Sequence, residues 1–336
     1  MAARRVEIDL PHRRAGHCGS GALRDLLEFH RLSWGRAPLS EGMVFGLGSG
    51  LGFAYVELGD LDPPIYMVGR TAGLERDICE HLGIGLDLRR TEDPDEGWAV
   101  LREALDAGRP TMVWADIQHL EYLRVRLQMT MHDIVITGYD EGEGVAFVAD
   151  NDRDEIQRCS LEALARARHS DAFPGPNRHA TWLMDFPAAL PEPAAAVRGA
   201  LAGAVENMRG GGAGLTAAPD GMGLDGVDAF AAAYPRWPRR FGARLDAALR
   251  GLRVFVVKAG TGGALFRSLH ARFLHDSAAL LGDDRLAEAG AVYDELAGEW
   301  VALAQIEDHA DGLARVERIA ALETAGVEAM EAVLGG

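Results

Sequence analysis

The chain has 336 residues, of which 51 are acidic and 34 basic, giving a formal net charge of −17. This excess of negative charge argues against a general nucleic-acid or anionic-membrane binding surface, because both need cationic side chains. The length allows one large or two medium-sized domains. Lys258 is the one lysine among the basic residues, which excludes lysine-based covalent catalysis elsewhere in the chain.

Hydropathy and cysteine spacing bear on the location of the protein. The first dozen residues lack the apolar core of a secretory signal peptide, and no run approaches about 20 apolar residues. Cys18, Cys79 and Cys159 are too widely spaced for a disulfide framework or a paired-cysteine zinc site. We therefore expect a cytoplasmic protein in a reducing compartment, with no membrane association.

In chain order, the first half alternates between apolar strand patterns and helical ones. Leucines at helical spacing follow Gly19, and β-branched runs typical of buried strands follow Pro110 and His132. The turn-rich segment 139–144 separates two apolar runs, which together predict a β-hairpin. The predicted elements are helices at 19–30 and 161–169 and strands at 111–116, 133–137 and 145–149.

The character of the sequence changes near residue 190. The proline-rich segment 186–193 is typical of a linker, and alanine-rich helical patterns follow it, with a flexible loop predicted at 210–214. We predict an α+β domain over 1–190 and a mostly α-helical domain over 191–336. The helical domain is expected to cover the site or to form an oligomer contact, such as that of a homodimer. Its acidic final part, from Asp283, is most simply a set of solvated helix faces.

Cys18 lies in a run of small residues, immediately before the first predicted helix. A helix N-terminus presents unpaired N–H groups and a positive dipole end, which stabilise a thiolate and hold an oxyanion. The flanking His17 and Gly19 are therefore candidate oxyanion or substrate contacts. An inert, buried cysteine is the more common role of a lone cysteine, so both interpretations stay open on local sequence alone.

His132 and Asp150 add two further catalytic groups. His132 stands at the head of one hairpin strand, and Asp150 follows the end of the other. In a hairpin of this length the two side chains lie close together, so the carboxylate would fix the imidazole tautomer and stabilise its cation. The sequence thus predicts a triad of Cys18, His132 and Asp150, with Asn151 as a further candidate contact. Taken singly, a strand cap and a turn residue explain the histidine and the aspartate more simply.

The combination resembles the papain-like cysteine hydrolases. In that fold a cysteine opens the central helix, a histidine begins a strand with the pattern His-x-x-x-x-x-Gly-Tyr, and an Asn or Asp ends the next strand. The run from His132 to Tyr139 fits that pattern. The sequence departs from it at the glutamine that usually donates to the oxyanion, where the upstream polar residues are His12 and His17.

Longer motifs are similar to the butirosin biosynthesis protein H N-terminal family. They run from His17 to Leu27, from Leu39 to Phe53 and from His132 to Tyr139. The region after residue 190 resembles the helical domain of unknown function that often follows this family, on the motif from Lys258 to Arg267. The resemblance implies an α+β fold, with a papain-like cysteine hydrolase/transferase domain followed by a mostly α-helical domain.

The resemblance also implies an activity. The family's namesake moves an aminoacyl group from an acyl carrier protein thioester to an amine, which here implies an acyl-enzyme on Cys18 and a role in specialised-metabolite biosynthesis. The implied partners are an acyl carrier protein and a small-molecule amine acceptor. No resident cofactor is implied, because the carrier brings its own 4′-phosphopantetheine arm. A thioesterase or amidase with the same triad, or a non-catalytic binding module with this fold, are the alternatives.

Two glycine-rich segments offer further candidate positions. The run from Phe45 to Phe53 lacks the spacing of a dinucleotide or phosphate loop, so its glycines either allow close packing or line a substrate channel. The substrate candidates there are Gly48, Ser49 and Gly50. A second run precedes a helix and could hold an anion such as the pantetheine phosphate, although a turn and helix cap is the simpler interpretation. The anion candidates are Thr261, Gly262, Gly263 and Arg267. No metal site is predicted.

Overall fold

The computed structural model describes residues 4–210, 221–258 and 260–335. Strands β1 to β9 span, in order, Arg5–Glu7, Leu51–Glu57, Ile65–Arg70, Gly85–Arg89, Thr111–Ala115, His132–Asp140, Val145–Ala149, Gln157–Ser160 and Thr181–Asp185. Helices α1 to α12 span, in order, Cys18–Phe29, Glu41–Leu47, Leu74–Leu82, Pro94–Asp106, Leu161–His169, Pro193–Gly210, Gly223–Ala233, Trp237–Phe241, Leu245–Arg253, Arg267–Leu281, Asp284–Ala304 and Leu313–Gly335. The loop predicted at 210–214 lies, beyond Gly210, outside the described residues.

The elements predicted from the sequence are present. The helices at 19–30 and 161–169 correspond to α1 and α5, and the three predicted strands correspond to β5, β6 and β7. β6 begins one residue earlier than predicted, at His132, and runs on to Asp140, so the hairpin turn is shorter than the sequence suggested. The α+β prediction is confirmed at this level, since a sheet-containing N-terminal region precedes a helical C-terminal part.

Residue contacts divide the chain into two compact units. The first comprises Met1–Leu39 and Gly83–Leu190, and the second comprises Ser40–Leu82 and Pro191–Gly336. The chain passes from the first unit to the second after Leu39 and again after Leu190. The segment Ser40–Leu82 departs from the predicted 1–190 domain, because its α2 packs against α10 and its β2 packs against α6 and α7.

The first unit is built on an antiparallel sheet with the strand order β4-β9-β5-β6-β7-β8. β6 pairs with β5 along its first half, where His132 lies opposite Ala115, and with β1 along its last residues. The alternation of side chains along β6 sends Ile134 and Ile136 into a core shared with α4 and α5. Asp133 and Val135 therefore face the other side of the sheet, and α1 contacts β6.

The second unit has an aromatic core around the β2–β3 hairpin. Phe230 lies 5.4 Å from Tyr55 and 5.6 Å from Trp300, measured between ring centroids. Glu323 of α12 is fully buried beside this core and pairs with Arg267 at 2.8 Å, so one acid of the acidic final part is not on a solvated face. None of the helices in the described ranges has the length and apolar character needed to cross a membrane.

Candidate active site

Cys18 is the first residue of α1, and its thiol is half-buried. His17 caps the helix, because its Nδ1 accepts the backbone N–H of Ser20 at 3.2 Å. The backbone N–H groups of Cys18 and Gly19 lie in the first helical turn, where no carbonyl four residues earlier belongs to the helix. The sulfur therefore sits at the positive end of the helix dipole, beside donors suited to an anion.

Backbone bonds hold the segment before Cys18 against the end of β7. The N–H of Ala15 donates to the carbonyl of Asn151 at 3.0 Å, and Asn151 Nδ2 donates to the carbonyl of Ala15 at 3.2 Å. Gly21 permits this close approach, since a Cβ there would lie 2.5 Å from the Cβ of Ala15. Asn151 thus anchors the segment that carries Cys18 next to Asp150.

The hairpin brings His132 and Asp150 together. Ala149 lies opposite Val135 in the β6–β7 ladder, so Asp150 arrives beside the start of β6. His132 Nε2 lies 3.0 Å from Asp150 Oδ2, with the imidazole 14% exposed and the carboxylate fully buried. His132 is also close enough to Cys18 to lower the pKa of its thiol. Because Nε2 is held by Asp150, Nδ1 is the ring nitrogen that serves the thiol.

The charges at these three groups support one another. Burial disfavours the thiolate, but electrostatic interactions and hydrogen bonds with His17 and His132 hold the pKa of Cys18 well below its usual range. Burial also disfavours the imidazolium, yet the Asp150 carboxylate raises the pKa of His132 well above its ordinary value. The pKa of Asp150 is lowered, against the effect of its burial, by His132 and by hydrogen bonds. These directions favour a thiolate–imidazolium pair at neutral pH.

Two further residues lie at this site, and the sequence did not predict either of them. Tyr122, in the loop after β5, donates its hydroxyl to Asp150 Oδ2 at 2.8 Å. Asp133, next to His132, is buried and has its Oδ2 3.8 Å from Cys18 Sγ. A charged residue at a buried position of a strand is the signal that could have drawn attention to Asp133. The loop position of Tyr122 offers no such pattern.

The upstream histidine His12 is held in a different network. Its Nδ1 lies 2.6 Å from Asp25 Oδ2, and its Nε2 lies 3.1 Å from the carbonyl oxygen of Arg153. Arg24 donates to the other oxygen of Asp25 at 2.8 Å, which completes a buried cluster. Both ring nitrogens of His12 are engaged, so it does not replace the missing oxyanion glutamine.

Gly48, Ser49 and Gly50 lie in the second unit, in packing positions. A Cβ on Gly48 would lie 2.7 Å from the side chain of Leu74, and one on Gly50 would lie 2.7 Å from Phe45. Ser49 Oγ donates to the carbonyl of Ala200 at 3.2 Å. Of the two interpretations left open by the sequence, these contacts support close packing.

The anion candidates at the start of α10 are used internally. Thr261 Oγ1 donates to the carbonyl of Val256 at 2.7 Å. Arg267 is fully buried, with both Nε and Nη2 donating to Glu323. Its Nη1 donates to three backbone carbonyls, those of Gly52, Gly69 and Leu265. Because these donors are already hydrogen-bonded inside the protein, Arg267 cannot bind an external phosphate. Gly262 and Gly263 have φ of 64° and 88°, as in a turn. The buried arginine and the turn conformation both support the interpretation as a turn and helix cap.

The other two cysteines differ from Cys18. Cys79 and Cys159 are buried, and burial raises the pKa of Cys79 to about 12 and that of Cys159 to about 11.

Across the described ranges, no group of three or more His, Cys, Asp or Glu side chains is placed to hold a metal ion.

Two protein-family models match the chain, and the first match covers the elements that form the site. The family described as butirosin biosynthesis protein H, N-terminal, matches residues 17–151, a range that contains Cys18, His132 and Asp150. A domain of unknown function, DUF4872, matches residues 162–332. The chain therefore belongs to the DUF4872 family and carries a butirosin biosynthesis protein H N-terminal domain before it, in the order that the sequence motifs implied. No curated protein matches the chain. The name of the butirosin biosynthesis protein H family indicates an enzyme of antibiotic biosynthesis.

Proposed function

We propose that the protein is a cysteine-dependent acyltransferase, which moves an acyl or aminoacyl group from an acyl carrier protein thioester to an amine through an acyl-enzyme on Cys18. The observation that carries this proposal is the pairing of Cys18 with His132, backed by Asp150 at 3.0 Å. The antiparallel sheet with a cysteine at the head of α1 supports a papain-like architecture. The family match supports a biosynthetic role.

In the first half-reaction, Cys18 Sγ attacks the carbonyl carbon of the carrier thioester. The oxyanion that forms is stabilised by the first-turn N–H groups of α1. Collapse breaks the bond to the pantetheine sulfur, and this leaving thiolate takes the proton of the His132 imidazolium. One thioester replaces another, so the step needs little driving force.

In the second half-reaction, an amine nitrogen attacks the acyl carbon, and neutral His132 takes the proton that the nitrogen loses. Collapse breaks the carbon–Sγ bond, forms the amide and restores the thiolate–imidazolium pair. Amide formation from a thioester runs downhill. Attack by water in place of the amine would give a thioesterase, so access of water to the acyl-enzyme decides between the two activities.

Exposed residues of the loop that carries Tyr122 support the proposal that an acidic carrier protein docks there. Arg124 and Arg126 are exposed, and the adjacent Val125 and Leu127 are 39% and 60% exposed. Apolar side chains among positive charges suit a partner with an acidic surface, even though the chain has a net charge of −17. Tyr122 links this loop to the triad through its hydrogen bond to Asp150.

Acyl-enzyme formation tests the proposal. The protein is incubated with acyl-loaded carrier proteins, and the expected result is a mass increase of one acyl group on the peptide that contains Cys18, absent in Cys18→Ala. An acyl-enzyme that releases free acid at the same rate with and without amines identifies a hydrolase. Absence of an adduct with every reactive thioester, together with a thiol of ordinary reactivity, refutes both activities and favours a binding module.

The carrier surface has a separate test. Replacing both Arg124 and Arg126 with glutamate should slow acylation by carrier-bound thioesters while leaving acylation by free acyl-pantetheine unchanged. The double variant Arg89→Glu with Arg102→Glu alters exposed arginines of the same unit as a matched control. Equal slowing with both donors, or no slowing, would contradict a docking role for the loop.

A further inference from the structure

A buried carboxylate lies beside the sulfur and has no part in the triad. Asp133 Oδ2 is 3.8 Å from Cys18 Sγ, and the residue is 2% exposed. Asp133 follows His132 in β6, so the two side chains project from opposite faces of the strand.

The charge of Asp133 does not help to form the nucleophile. A carboxylate beside a thiolate repels it, and this repulsion is strong where water is scarce. The thiolate is favoured instead by His17 and His132. Because the charge of Asp133 opposes the free thiolate, it suits a cation that arrives next to the sulfur.

We propose that Asp133 binds the ammonium group of a cationic primary amine acceptor and places its nitrogen beside the acyl carbon on Cys18. This inference rests on the proposed function and names the class of acceptor. The acceptor binds as R–NH3+, with one N–H donated to Asp133. One proton of the ammonium is lost to solvent, and the nitrogen lone pair attacks the acyl carbon. Neutral His132 takes the second proton that the nitrogen loses, as the amide forms and Cys18 departs as a thiolate.

Such a carboxylate selects between nucleophiles. Water and alcohols carry no positive charge, so Asp133 concentrates ammonium groups at the acyl carbon without concentrating water. The same negative charge disfavours anionic nucleophiles. Asp133 therefore acts as a specificity-determining residue for the second half-reaction, while the first half-reaction depends on the triad.

Charged thiol reagents test the site without any knowledge of the natural substrate. Methanethiosulfonates react with a thiolate to form a mixed disulfide and release methanesulfinate. The rate constant for the 2-aminoethyl reagent, a primary ammonium, is divided by that for the neutral methyl reagent. For Cys18 we expect this ratio to exceed the ratio for glutathione by about tenfold, the size of one partly screened charge pair. In Asp133→Asn the excess should disappear, and in Asp133→Glu it should persist.

Two controls separate this site from general effects. Asp152→Asn removes an exposed carboxylate of the same unit and should leave the ratio unchanged. Cys18→Ala gives the background from Cys79 and Cys159. The proposal is overturned if the unaltered protein gives the same ratio as glutathione, and this comparison holds even if Asp133→Asn does not fold. It is also overturned if a folded Asp133→Asn variant keeps the ratio of the unaltered protein.

Acyl transfer supplies the second arm. With the acyl-enzyme formed from acyl-pantetheine, Asp133→Asn should raise the KM for ethanolamine or another primary amine at least tenfold, while Cys18 is acylated no more slowly than in the unaltered protein. Hydroxylamine, which is neutral at pH 7, should react equally well in both proteins. Failure to form any acyl-enzyme would refute the proposed transferase. The methanethiosulfonate test would still show whether Asp133 attracts an ammonium group to Cys18. An equal loss with ethanolamine and hydroxylamine would refute the ammonium site alone.

Discussion

Replacing Asp150 with asparagine tests whether its carboxylate stabilises the thiolate–imidazolium pair of Cys18 and His132. The change keeps the shape of the side chain and removes a charge that lies 3.0 Å from His132 Nε2. A hydrogen bond to a charged partner contributes about 1.5–3 kcal/mol, and about 1.4 kcal/mol corresponds to a factor of ten. The carboxylate is fully buried, so solvent screens little of this interaction. We therefore expect the reactivity of Cys18 at neutral pH to fall by about ten- to a hundredfold.

The sign of the effect follows from the ion pair. Without the carboxylate the imidazolium is less stable, so the pKa of His132 falls and the pKa of Cys18 rises. The assay is the rate of Cys18 alkylation by iodoacetamide between about pH 5 and 9, followed by peptide mass spectrometry. The unaltered protein should react readily on the acid side of the range, where ordinary thiols are inert. The Asp150→Asn variant should react only as the pH approaches that of an ordinary thiol.

Asp152→Asn is the matched control, because this carboxylate lies two residues further on, is 57% exposed and pairs with Arg153. It should leave the alkylation profile unchanged. If Asp150→Asn alkylates at the unaltered rate across the whole pH range, the carboxylate does not sustain the thiolate, and the electrostatic account of the site is refuted. Near-UV circular dichroism of each variant verifies that the fold is intact.

Three further outcomes are expected. Tyr122→Phe removes one hydrogen bond to the triad carboxylate, worth about 1 kcal/mol, so alkylation of the helix-terminal cysteine should slow by roughly fivefold, less than with the carboxylate variant. Cys79 and Cys159, with pKa values raised to about 12 and about 11, should not be labelled by iodoacetamide at neutral pH until the protein is denatured; labelling of either at the rate of an exposed thiol would contradict their burial. Arg267→Met strands the buried Glu323 and should lower the free energy of unfolding in urea by about 3–5 kcal/mol; a loss below about 1 kcal/mol would show that the pair is dispensable.

Local patterns in the sequence were sufficient to predict the helix and the hairpin that carry Cys18, His132 and Asp150. Small residues before a leucine pattern mark the start of α1 at Cys18, and turn residues between two apolar runs mark the β6–β7 hairpin. The hairpin fixes which residues lie opposite one another, so the nearness of His132 and Asp150 follows from chain distance alone. These inferences succeeded because each depends on one element or on one pair of neighbours.

Partners that are distant in the chain could not be predicted. Tyr122 reaches Asp150 from a loop without a regular period, and only the folded backbone shows this contact. Arg267 follows a glycine-rich turn at a helix start, a pattern shared by anion sites and by plain helix caps. The sequence shows the arginine but does not show that Glu323, in a different helix, neutralises it. The distinction depends on tertiary pairing.

The two compact units and the two family matches divide the chain differently. The first match, 17–151, contains the hairpin β2–β3, which belongs to the second unit and whose carbonyls at Gly52 and Gly69 bind Arg267. The second match, 162–332, contains β9, which lies between β4 and β5 in the sheet of the first unit. Each match therefore supplies an interior part of the other's fold. Without the second match the sheet would lose β9, and without the first match Arg267 would lose two of its carbonyl acceptors, so neither match keeps all of its interior contacts on its own.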